Sequence, residues 1–247
     1  MKSSLSIYME NLIGLYGGLE TFDLLSALIL DEFAGRIALV SSFGAESAVL
    51  LHMVSQIDRG TDVIFLDTGK LFGETQRYRD SLVERFGLRQ VLAVKPAKQS
   101  IKDLDSKGDL WRHDPNMCCH VRKTLPLQGV LGGFSAWITG RKSFHENLRK
   151  SIQIFERDND ASRIKVNPLA QWTRANVQDY FLLHDIPPHP LEADGYLSIG
   201  CMPCTSPVRE GDGFRGGRWR GLSKTECGIH LPSSNELASR HRVSYTN

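Results

Sequence analysis

The sequence predicts an α/β protein with a doubly wound, mostly parallel sheet and a mobile C-terminal segment. Apolar segments of strand character alternate with segments of helical period, which is the pattern of repeated β-α-β units. A loop of small residues, 41–47, lies between the first strand and a helix. Asp67-Thr68-Gly69 follows the second strand, where open α/β sheets bind ligands at the carboxyl ends of their strands.

The elements follow in order along the chain. Apolar side chains recur at helical spacing from Leu19 to Phe33, and Gly35 ends that helix. Thr173 is a favourable N-cap for the last helix. The predicted strands are 37–40, 62–66, 90–94 and 136–139, with edge strands at 152–155 and 164–166. The predicted helices are 19–33, 48–57, 74–86 and 174–184, with residues 120–131 helical in part and 98–116 left unassigned.

The chain length of 247 residues suits one sizeable α/β domain and is short for two. We assign residues 1–210 to that domain. Glycines and arginines dominate from Gly211 onward, so we expect 211–247 to be a flexible arm with little core of its own. The polar tail 231–247 is expected to be disordered.

The charge balance argues against two classes of partner. Thirty Lys and Arg residues face 28 Asp and Glu residues, which gives a formal net charge of +2. A field this weak does not favour nucleic acid or a membrane surface, so any anion site must be local. The N-terminus lacks a signal-peptide pattern and no window reaches transmembrane length, which predicts a cytoplasmic protein.

Five cysteines in a reducing compartment favour metal ligands and a reactive thiol over disulfides. Cys118 and Cys119 are adjacent, and Cys201 and Cys204 form a second close pair. Two pairs of thiolates can close a zinc site or hold an iron–sulfur cluster. Adjacent cysteines reach one small ion poorly, whereas a cluster presents separate irons, so the spacing favours a cluster. Four buried free cysteines are the remaining alternative.

Cys227 is the candidate reactive thiol. It lies in a segment flanked by glycine, with Lys224 and His230 close in sequence, and nearby positive charge favours a thiolate. Glu226 opposes thiolate formation because a neighbouring negative charge disfavours a second one. The alternative is a surface cysteine without a chemical role.

The loop 41–47 is a candidate anion site, because backbone N–H groups at a helix N-terminus attract phosphate. The loop lacks the Gly-Lys-Ser/Thr ending of a Walker A sequence and is not Gly-x-Gly-x-x-Gly. An ordinary turn capped by Ser and Gly is therefore an equal alternative. Arginines and lysines near strand ends and in the arm are further candidates to bind an oxyanion.

Six motifs together give the chain a family resemblance. They are Ser41-Ser42-Phe43-Gly44-Ala45-Glu46-Ser47, Leu66-Asp67-Thr68-Gly69, Cys118-Cys119-His120-Val121-Arg122-Lys123, Cys201-Met202-Pro203-Cys204-Thr205, Arg215-Gly216-Gly217-Arg218-Trp219 and Glu226-Cys227-Gly228-Ile229-His230. The set resembles the assimilatory adenylylsulfate (APS) reductases, which belong with the phosphoadenylylsulfate (PAPS) reductases to a family of adenine nucleotide α-hydrolase-like fold. The resemblance covers the chain from about Ile37 to His230.

The resemblance implies an activity and a role for each motif. APS would be reduced to sulfite and AMP, with Cys227 as the nucleophile that becomes S-sulfocysteine and with thioredoxin or a glutaredoxin-like dithiol as reductant. The implied ligands of a 4Fe-4S cluster are Cys118, Cys119, Cys201 and Cys204. The implied substrate-binding residues are Ser41, Ser42, Phe43, Gly44, Ala45, Glu46, Lys123, Arg149, Arg215 and Arg218. Residues 1–210 would then bind nucleotide and cluster, and the arm 211–247 would carry the catalytic cysteine.

The sequence departs from the family after Thr139-Gly140, where Arg141 and Lys142 keep positive charge but not the usual register. The assignment of Arg149 assumes a one-residue deletion. Three rivals stay open: a PAPS reductase, a nucleotide-activating sulfur-transfer enzyme, and a cluster- or zinc-binding regulator. PAPS-specific relatives generally lack the four cluster cysteines, and a regulator would leave Cys227 without a task. A homo-oligomer is compatible with the sequence, which does not specify the oligomeric state.

Overall fold

The computed structural model describes residues 4–145, 151–158, 163–222 and 224–230. These residues contain six strands and nine α-helices. The strands are β1 (Ile37–Ser41), β2 (Asp62–Leu66), β3 (Val91–Val94), β4 (Ala136–Thr139), β5 (Phe155–Arg157) and β6 (Ile164–Val166). The α-helices are α1 (Ser4–Tyr16), α2 (Thr21–Ala27), α3 (Ala48–Ile57), α4 (Gly73–Phe86), α5 (Lys98–Leu104), α6 (Leu110–His113), α7 (Pro115–Cys119), α8 (Leu125–Val130) and α9 (Arg174–Leu183). Short π-helical segments, Leu28–Glu32 and His120–Thr124, extend α2 and α7.

The strands form one sheet in the order β3-β2-β1-β4-β6-β5. Every neighbouring pair is parallel except β5–β6, which is antiparallel. The chain starts in the middle of the sheet at β1, builds outward to β3, and then returns to β4 on the other side of β1. The predicted doubly wound, mostly parallel sheet is confirmed. Its strand order reverses between β1 and β4, the position where such sheets open a crevice for ligands.

Both faces of the sheet are buried along its inner strands, as expected of a parallel sheet, whereas the edge strand β3 is partly exposed. Alternate residues of β1 show this, since Leu39 packs into the larger core with α1 to α4 and α9, whereas Ala38 faces the opposite side. On that second side, Trp137 of β4 packs with Leu127 of α8. Because two faces are covered, these strands appear in the sequence as short continuous apolar segments. No helix among the described residues is long and apolar enough to cross a membrane.

The edge of the sheet differs from the prediction. β5 spans Phe155–Arg157, three residues beyond the predicted start, and only β5 lies at this edge. The prediction that 164–166 is also an edge strand is wrong, because β6 pairs with β4 on one side and with β5 on the other. Helix α1 was missing from the prediction. It buries Leu12, but exposed apolar residues such as Ile13 and Leu15 obscure its helical period.

His189 is a buried, neutral histidine at the start of the 3-10 turn Pro190–Glu192. Its Nδ1 accepts the Leu191 N–H at 3.2 Å, and its Nε2 lies 3.1 Å from the Thr75 hydroxyl. With Nδ1 accepting, the ring proton sits on Nε2 and is donated to Thr75. Burial lowers the pKa of His189 to about 4.

The stability of the protein should therefore fall on mild acidification. A histidine in the unfolded chain titrates near pH 6.5, so below that pH the unfolded state takes up a proton that native His189 does not bind. The free energy of unfolding should decrease by about 2 kcal/mol between about pH 7 and pH 5 from this group alone. Thermal melts at the two pH values measure the change. In His189→Asn, which keeps an N-capping acceptor but does not titrate, the pH-dependent loss should be smaller; an equal loss contradicts the assignment.

Candidate active site

A cleft opens at the carboxyl ends of β1 and β4. The loop 41–47 and residues 139–142 form one side, and residues 197–200 together with parts of 214–230 form the other. The parallel sheet brings the first two segments together, because the ends of neighbouring parallel strands meet at the same edge. The cleft is lined by these sequence-predicted residues: Ser41, Ser42, Gly44, Ala45, Glu46, Lys123, Arg215, Arg218 and Cys227.

The serines of the loop 41–47 hold its own backbone. Ser41 Oγ accepts the Phe43 N–H at 3.2 Å, and Ser42 Oγ accepts the Gly44 N–H at 3.3 Å. A Cβ on Gly44 would lie 3.1 Å from the Ile199 carbonyl oxygen, so glycine allows the loop to approach Ile199 more closely than a larger residue would without a small shift. The loop then leads into the N-terminus of α3 through a 3-10 turn, Ala45–Ser47.

Phe43 does not present its side chain to the cleft. The residue has φ +48°, its side chain is fully buried, and the ring packs edge-on against Phe65 at 5.3 Å. Phe43 is therefore not among the residues that line the cleft, and its role in substrate binding stays a prediction. An aromatic ring in this position fixes the left-handed turn by anchoring it in the core.

Glu46 carries a charge that the protein compensates internally. Its Oε2 accepts from Lys142 Nζ at 3.0 Å and lies 2.7 Å from His145 Nε2. Burial alone would raise the pKa of Glu46, but Lys142 and His145 lower the pKa to about 2. Both partners are themselves buried. Glu46 is thus an ionised carboxylate whose charge is balanced, and it stands at the cleft as an acceptor of hydrogen bonds.

The Cys227 thiol lies at the far wall of the cleft and is only 8% exposed. It packs with Cys119 and Trp219 in a small buried cluster. A hydrogen bond from the Cys119 thiol, the Lys123 ammonium and the Ile229 N–H lower the pKa of Cys227, against burial, which raises it. The first of these needs a protonated Cys119, whereas Lys123 and the Ile229 N–H also act when Cys119 binds a metal as a thiolate. The thiolate, which is the nucleophilic form of cysteine, is therefore favoured at this position.

Three cations surround the indole of Trp219. Arg218 lies 4.4 Å from the ring centre, Lys224 5.5 Å and Arg215 5.6 Å. Lys224 also donates to Asn116 Oδ1 at 2.6 Å, which ties the segment that carries Cys227 to helix α7. The indole therefore collects positive charge at the side of the cleft where the thiol lies.

A second cavity lies behind this wall and is lined by Cys118, Cys119, Cys201 and Cys204. Lys123, Arg218 and Trp219 line both the cavity and the cleft. Burial alone would lower the pKa of Lys123, but the neighbouring sulfurs of Cys201, Cys227 and Cys119 outweigh it and raise that pKa. The four thiols are the residues that could hold a metal group here. No three His, Cys, Asp or Glu side chains of the described chain are grouped so as to hold one metal ion.

Polar contacts from three parts of the chain fix the cysteine cavity. Asp114 caps helix α7 by accepting the Met117 N–H at 2.8 Å, which orients Cys118 and Cys119. Thr68, two residues after the end of β2, places its hydroxyl 3.3 Å from Cys201 Sγ. Arg122 donates to the Thr68 carbonyl oxygen at 2.7 Å and pairs with buried Asp105. The strand end, the cysteine helix and the second cysteine pair thus form one connected unit.

Comparison with known proteins identifies the family. Residues 36–207 match the phosphoadenosine phosphosulfate reductase domain, a span that includes the loop 41–47 and all four cysteines of the second cavity. The chain belongs to the phosphoadenosine phosphosulfate reductase family. A relative from Mesorhizobium japonicum named adenosine 5'-phosphosulfate reductase is 48% identical over 217 residues, which are 88% of this chain and 85% of the relative. A protein of the same name from Bacillus cereus strain Q1 is 40% identical and aligns with 85% of this chain and 92% of its own.

Solved structures agree on the fold of the family. The phosphate complex of phosphoadenylyl-sulfate reductase from Candida auris superposes with a TM-score of 0.68 at 24% identity, covering 84% of this chain and 98% of that one. An FMN adenylyltransferase from Candida glabrata superposes with a TM-score of 0.54 at 13% identity, covering 94% and 86% of the two chains. At these identities the likeness concerns the fold.

The reductase fold brings together most of the predicted site residues, and it adds others that the sequence reasoning did not assign. Arg149 lies outside the described residues, as does the tail 231–247. The unassigned lining residues include Thr139, Lys142, His145, Ser198, Phe214 and Trp219. Their position at the end of β4 and just after it was a usable signal for the first two, Thr139 and Lys142, because strand ends form the ligand edge of such sheets. The stacking of Phe214 on His145, with ring centres 4.8 Å apart, joins distant segments and has no local sequence signal.

The charge pair at Glu46 can be tested by stability. Replacing Glu46 with Gln keeps the volume but removes the carboxylate that offsets Lys142, whose side chain is 2% exposed. Loss of one member of a buried pair should lower the free energy of unfolding by about 3 kcal/mol. Chemical denaturation at neutral pH measures this. The matched variant Glu210→Gln changes an exposed glutamate and should alter stability by less than about 0.5 kcal/mol; equal effects of the two variants contradict the assignment.

Proposed function

We propose that this chain is an assimilatory APS reductase, which reduces adenylylsulfate to sulfite and AMP in sulfate assimilation and cysteine biosynthesis. The observation that carries the proposal is the position of Cys227, which lines the same cleft as Arg215, Arg218 and the loop 41–47. The relatives named adenosine 5'-phosphosulfate reductase, which align with most of the chain, support the same reading.

The first half-reaction needs only the protein and APS. The loop 41–47 binds the nucleotide, and Arg215 and Arg218 hold the phosphosulfate oxygens. The Cys227 thiolate attacks the sulfur, a new sulfur–sulfur bond forms, and the bond from that sulfur to the phosphate oxygen breaks with AMP as leaving group. Lys123 and the two arginines offset the negative charge of the sulfonyl oxygens, which a site shielded from water makes more effective. The enzyme is left as S-sulfocysteine.

The second half-reaction needs an external dithiol of the thioredoxin or glutaredoxin type. Its thiolate attacks Cys227 Sγ, and sulfite leaves with the electron pair of the broken sulfur–sulfur bond. The product is a mixed disulfide between Cys227 and the reductant. The second thiol of the reductant then attacks this disulfide and releases Cys227 as a thiol. Cys227 is 8% exposed, so a protein reductant cannot reach it in this arrangement. We therefore infer that the arm 211–230 opens between the two half-reactions.

We assign the second cavity to a 4Fe-4S cluster held by Cys118, Cys119, Cys201 and Cys204. The donor set is entirely thiol, and the positive charge of Lys123 and Arg218 suits a group of net negative charge. The buried indole N–H of Trp219 has no hydrogen-bond partner in the described chain and stands at this wall. When bound, the cluster would supply a fixed, charged wall beside the cleft, since the electrons come from thiols.

The alternative functions need different ligands and different pockets at this site. A single zinc ion needs its ligands gathered around one point, an arrangement not seen among the described residues. A PAPS reductase needs a pocket for a 3'-phosphate, and a measured preference for PAPS over APS in the cluster-containing protein would favour it. A sulfur-transfer enzyme would bind ATP with Mg²⁺. A regulator leaves Cys227 without a task. The cytoplasmic location and a homo-oligomeric state remain predictions.

The role of Cys227 is tested by Cys227→Ser. Because the hydroxyl cannot replace the thiolate as nucleophile at sulfur, the variant should form no sulfite or AMP from APS. Its affinity for AMP, measured by calorimetry, should stay within about threefold of the wild type, since the change leaves the loop 41–47 intact. Unchanged turnover in this variant excludes the mechanism.

Metal content tests the cluster. The protein purified without oxygen should be brown, with broad near-visible absorption and about four irons per chain. Cys201→Ser should lose most of the iron because it removes one of four ligands. A colourless wild-type protein that contains zinc contradicts the assignment and points to the regulator.

A further inference from the structure

Glu226, the residue before the nucleophile, is placed unfavourably for the chemistry of Cys227. Its carboxylate brings a negative charge next to the thiol, since Oε1 accepts the backbone N–H of Cys227. The side chain is also only 4% exposed, and burying a carboxylate is costly unless it is well paired. A buried negative charge beside a thiolate that attacks an anionic substrate needs a separate explanation.

The geometry of the carboxylate supplies one. Glu226 Oε1 accepts the backbone N–H of Cys227 at 2.9 Å and a guanidinium N–H of Arg215 at 3.4 Å. Arg215 also donates to the carbonyl oxygen of Thr225 at 3.3 Å. One carboxylate oxygen therefore contacts both the backbone of the nucleophile and an arginine that lines the cleft.

We propose that Glu226 is a positioning residue for the transfer of the sulfonate group, and that it acts by holding Arg215 beside Cys227. The inference rests on the proposed function. In that reaction the guanidinium must contact the oxygens of the same sulfonyl group that Cys227 Sγ attacks. Arg215 and Cys227 lie on a segment rich in glycine, whose backbone does not fix their separation by itself. The shared carboxylate fixes it.

The charge of Glu226 has a second effect in the same arrangement. Without substrate it partly neutralises Arg215, so the cleft is not left with an uncompensated guanidinium against the Trp219 ring. When the phosphosulfate binds, its oxygens share the guanidinium with Glu226. The guanidinium then separates the two negative groups, which reduces the repulsion between them.

The test is a double-mutant cycle on the first half-reaction. APS is mixed with an excess of the holoenzyme without reductant, and the single-turnover rate of AMP release is measured. Arg215→Ala should slow this step by about a hundredfold or more, because it removes a charge that stabilises the transition state. Glu226→Gln, which keeps an acceptor for the Cys227 N–H, should slow it by about tenfold. The rate of the double variant Glu226→Gln/Arg215→Ala should be within about threefold of the rate of Arg215→Ala alone, because the carboxylate then has no Arg215 to hold.

Arg218 provides the matched control. It lines the same cleft and lies against the same Trp219 ring, but it donates to Ser198 Oγ at 3.5 Å and forms no hydrogen bond with Glu226 among the described contacts. Glu226→Gln combined with Arg218→Ala should therefore be slower by the product of the two single effects. The inference is overturned if the effects of Glu226→Gln and Arg215→Ala also multiply in their double variant. It is equally overturned if Glu226→Gln releases AMP at the wild-type rate.

Two further measurements separate this inference from other causes. Iron content and absorption spectra of each variant show whether the protein has folded with its cluster, and Glu226→Asp serves in the same cycle if Glu226→Gln does not. The proposed function itself fails in a different way, because the wild-type protein would then release no AMP from APS at all.

Discussion

The contact between the Cys227 segment and the cysteine helix is the interaction on which the site depends. Cys227 packs against Cys119 and Trp219, and Lys224 reaches Asn116 in the same helix. Through this contact the C-terminal segment closes one side of a cleft whose other side is built by the carboxyl ends of β1 and β4. Without it the sheet edge would keep the loop 41–47 but not Cys227, the proposed nucleophile. Lys123, Arg218 and Trp219 line both the cleft and the second cavity, so the charges of Lys123 and Arg218 would act on a bound metal group and on a bound substrate.

The distribution of ion pairs explains how a chain of net charge +2 can build a local anion site. Several basic residues near the cleft are paired with carboxylates: Arg122 with Asp105, Arg141 with Glu156, Lys142 with Glu46 and Arg215 with Glu226. Within the described chain, no carboxylate pairs with Lys123, Arg218 or Lys224, and these three gather around the thiols and Trp219. Positive potential is therefore concentrated where an oxyanion and a negatively charged cluster would meet, while the remaining basic residues serve the fold.

The sequence was sufficient for the parts of the molecule that have a local signature. Strands buried on both faces appear as short apolar segments, and helix α3 was placed at its observed bounds because its apolar residues follow a glycine-containing turn. Features that depend on distant pairing could not be obtained in this way. The inward turn of Phe43 depends on Phe65 of β2, and the compensation of Glu46 depends on residues about a hundred positions away. Likewise Glu226 suggested only an unfavourable charge until Arg215 was seen beside it.

The strength of the contacts that close the arm is consistent with a reaction in two stages. Lys224 contributes one hydrogen bond of 2.6 Å, His230 stacks on Trp137 at 6.2 Å, and Phe214 stacks on His145. Each such contact contributes about 1 to 2 kcal/mol, and part of that gain is offset by the conformational entropy of ordering a segment rich in glycine. Backbone contacts add to these, because the Trp219 N–H donates to the Cys204 carbonyl oxygen at 3.0 Å and Thr205 forms a β-bridge with Arg218. The proposed second half-reaction requires that the sum of these contacts still leaves an open state populated. An interface more apolar than the small cluster of Cys119, Trp219 and Cys227 would favour the first half-reaction and obstruct the second, because more apolar surface would have to be exposed on opening.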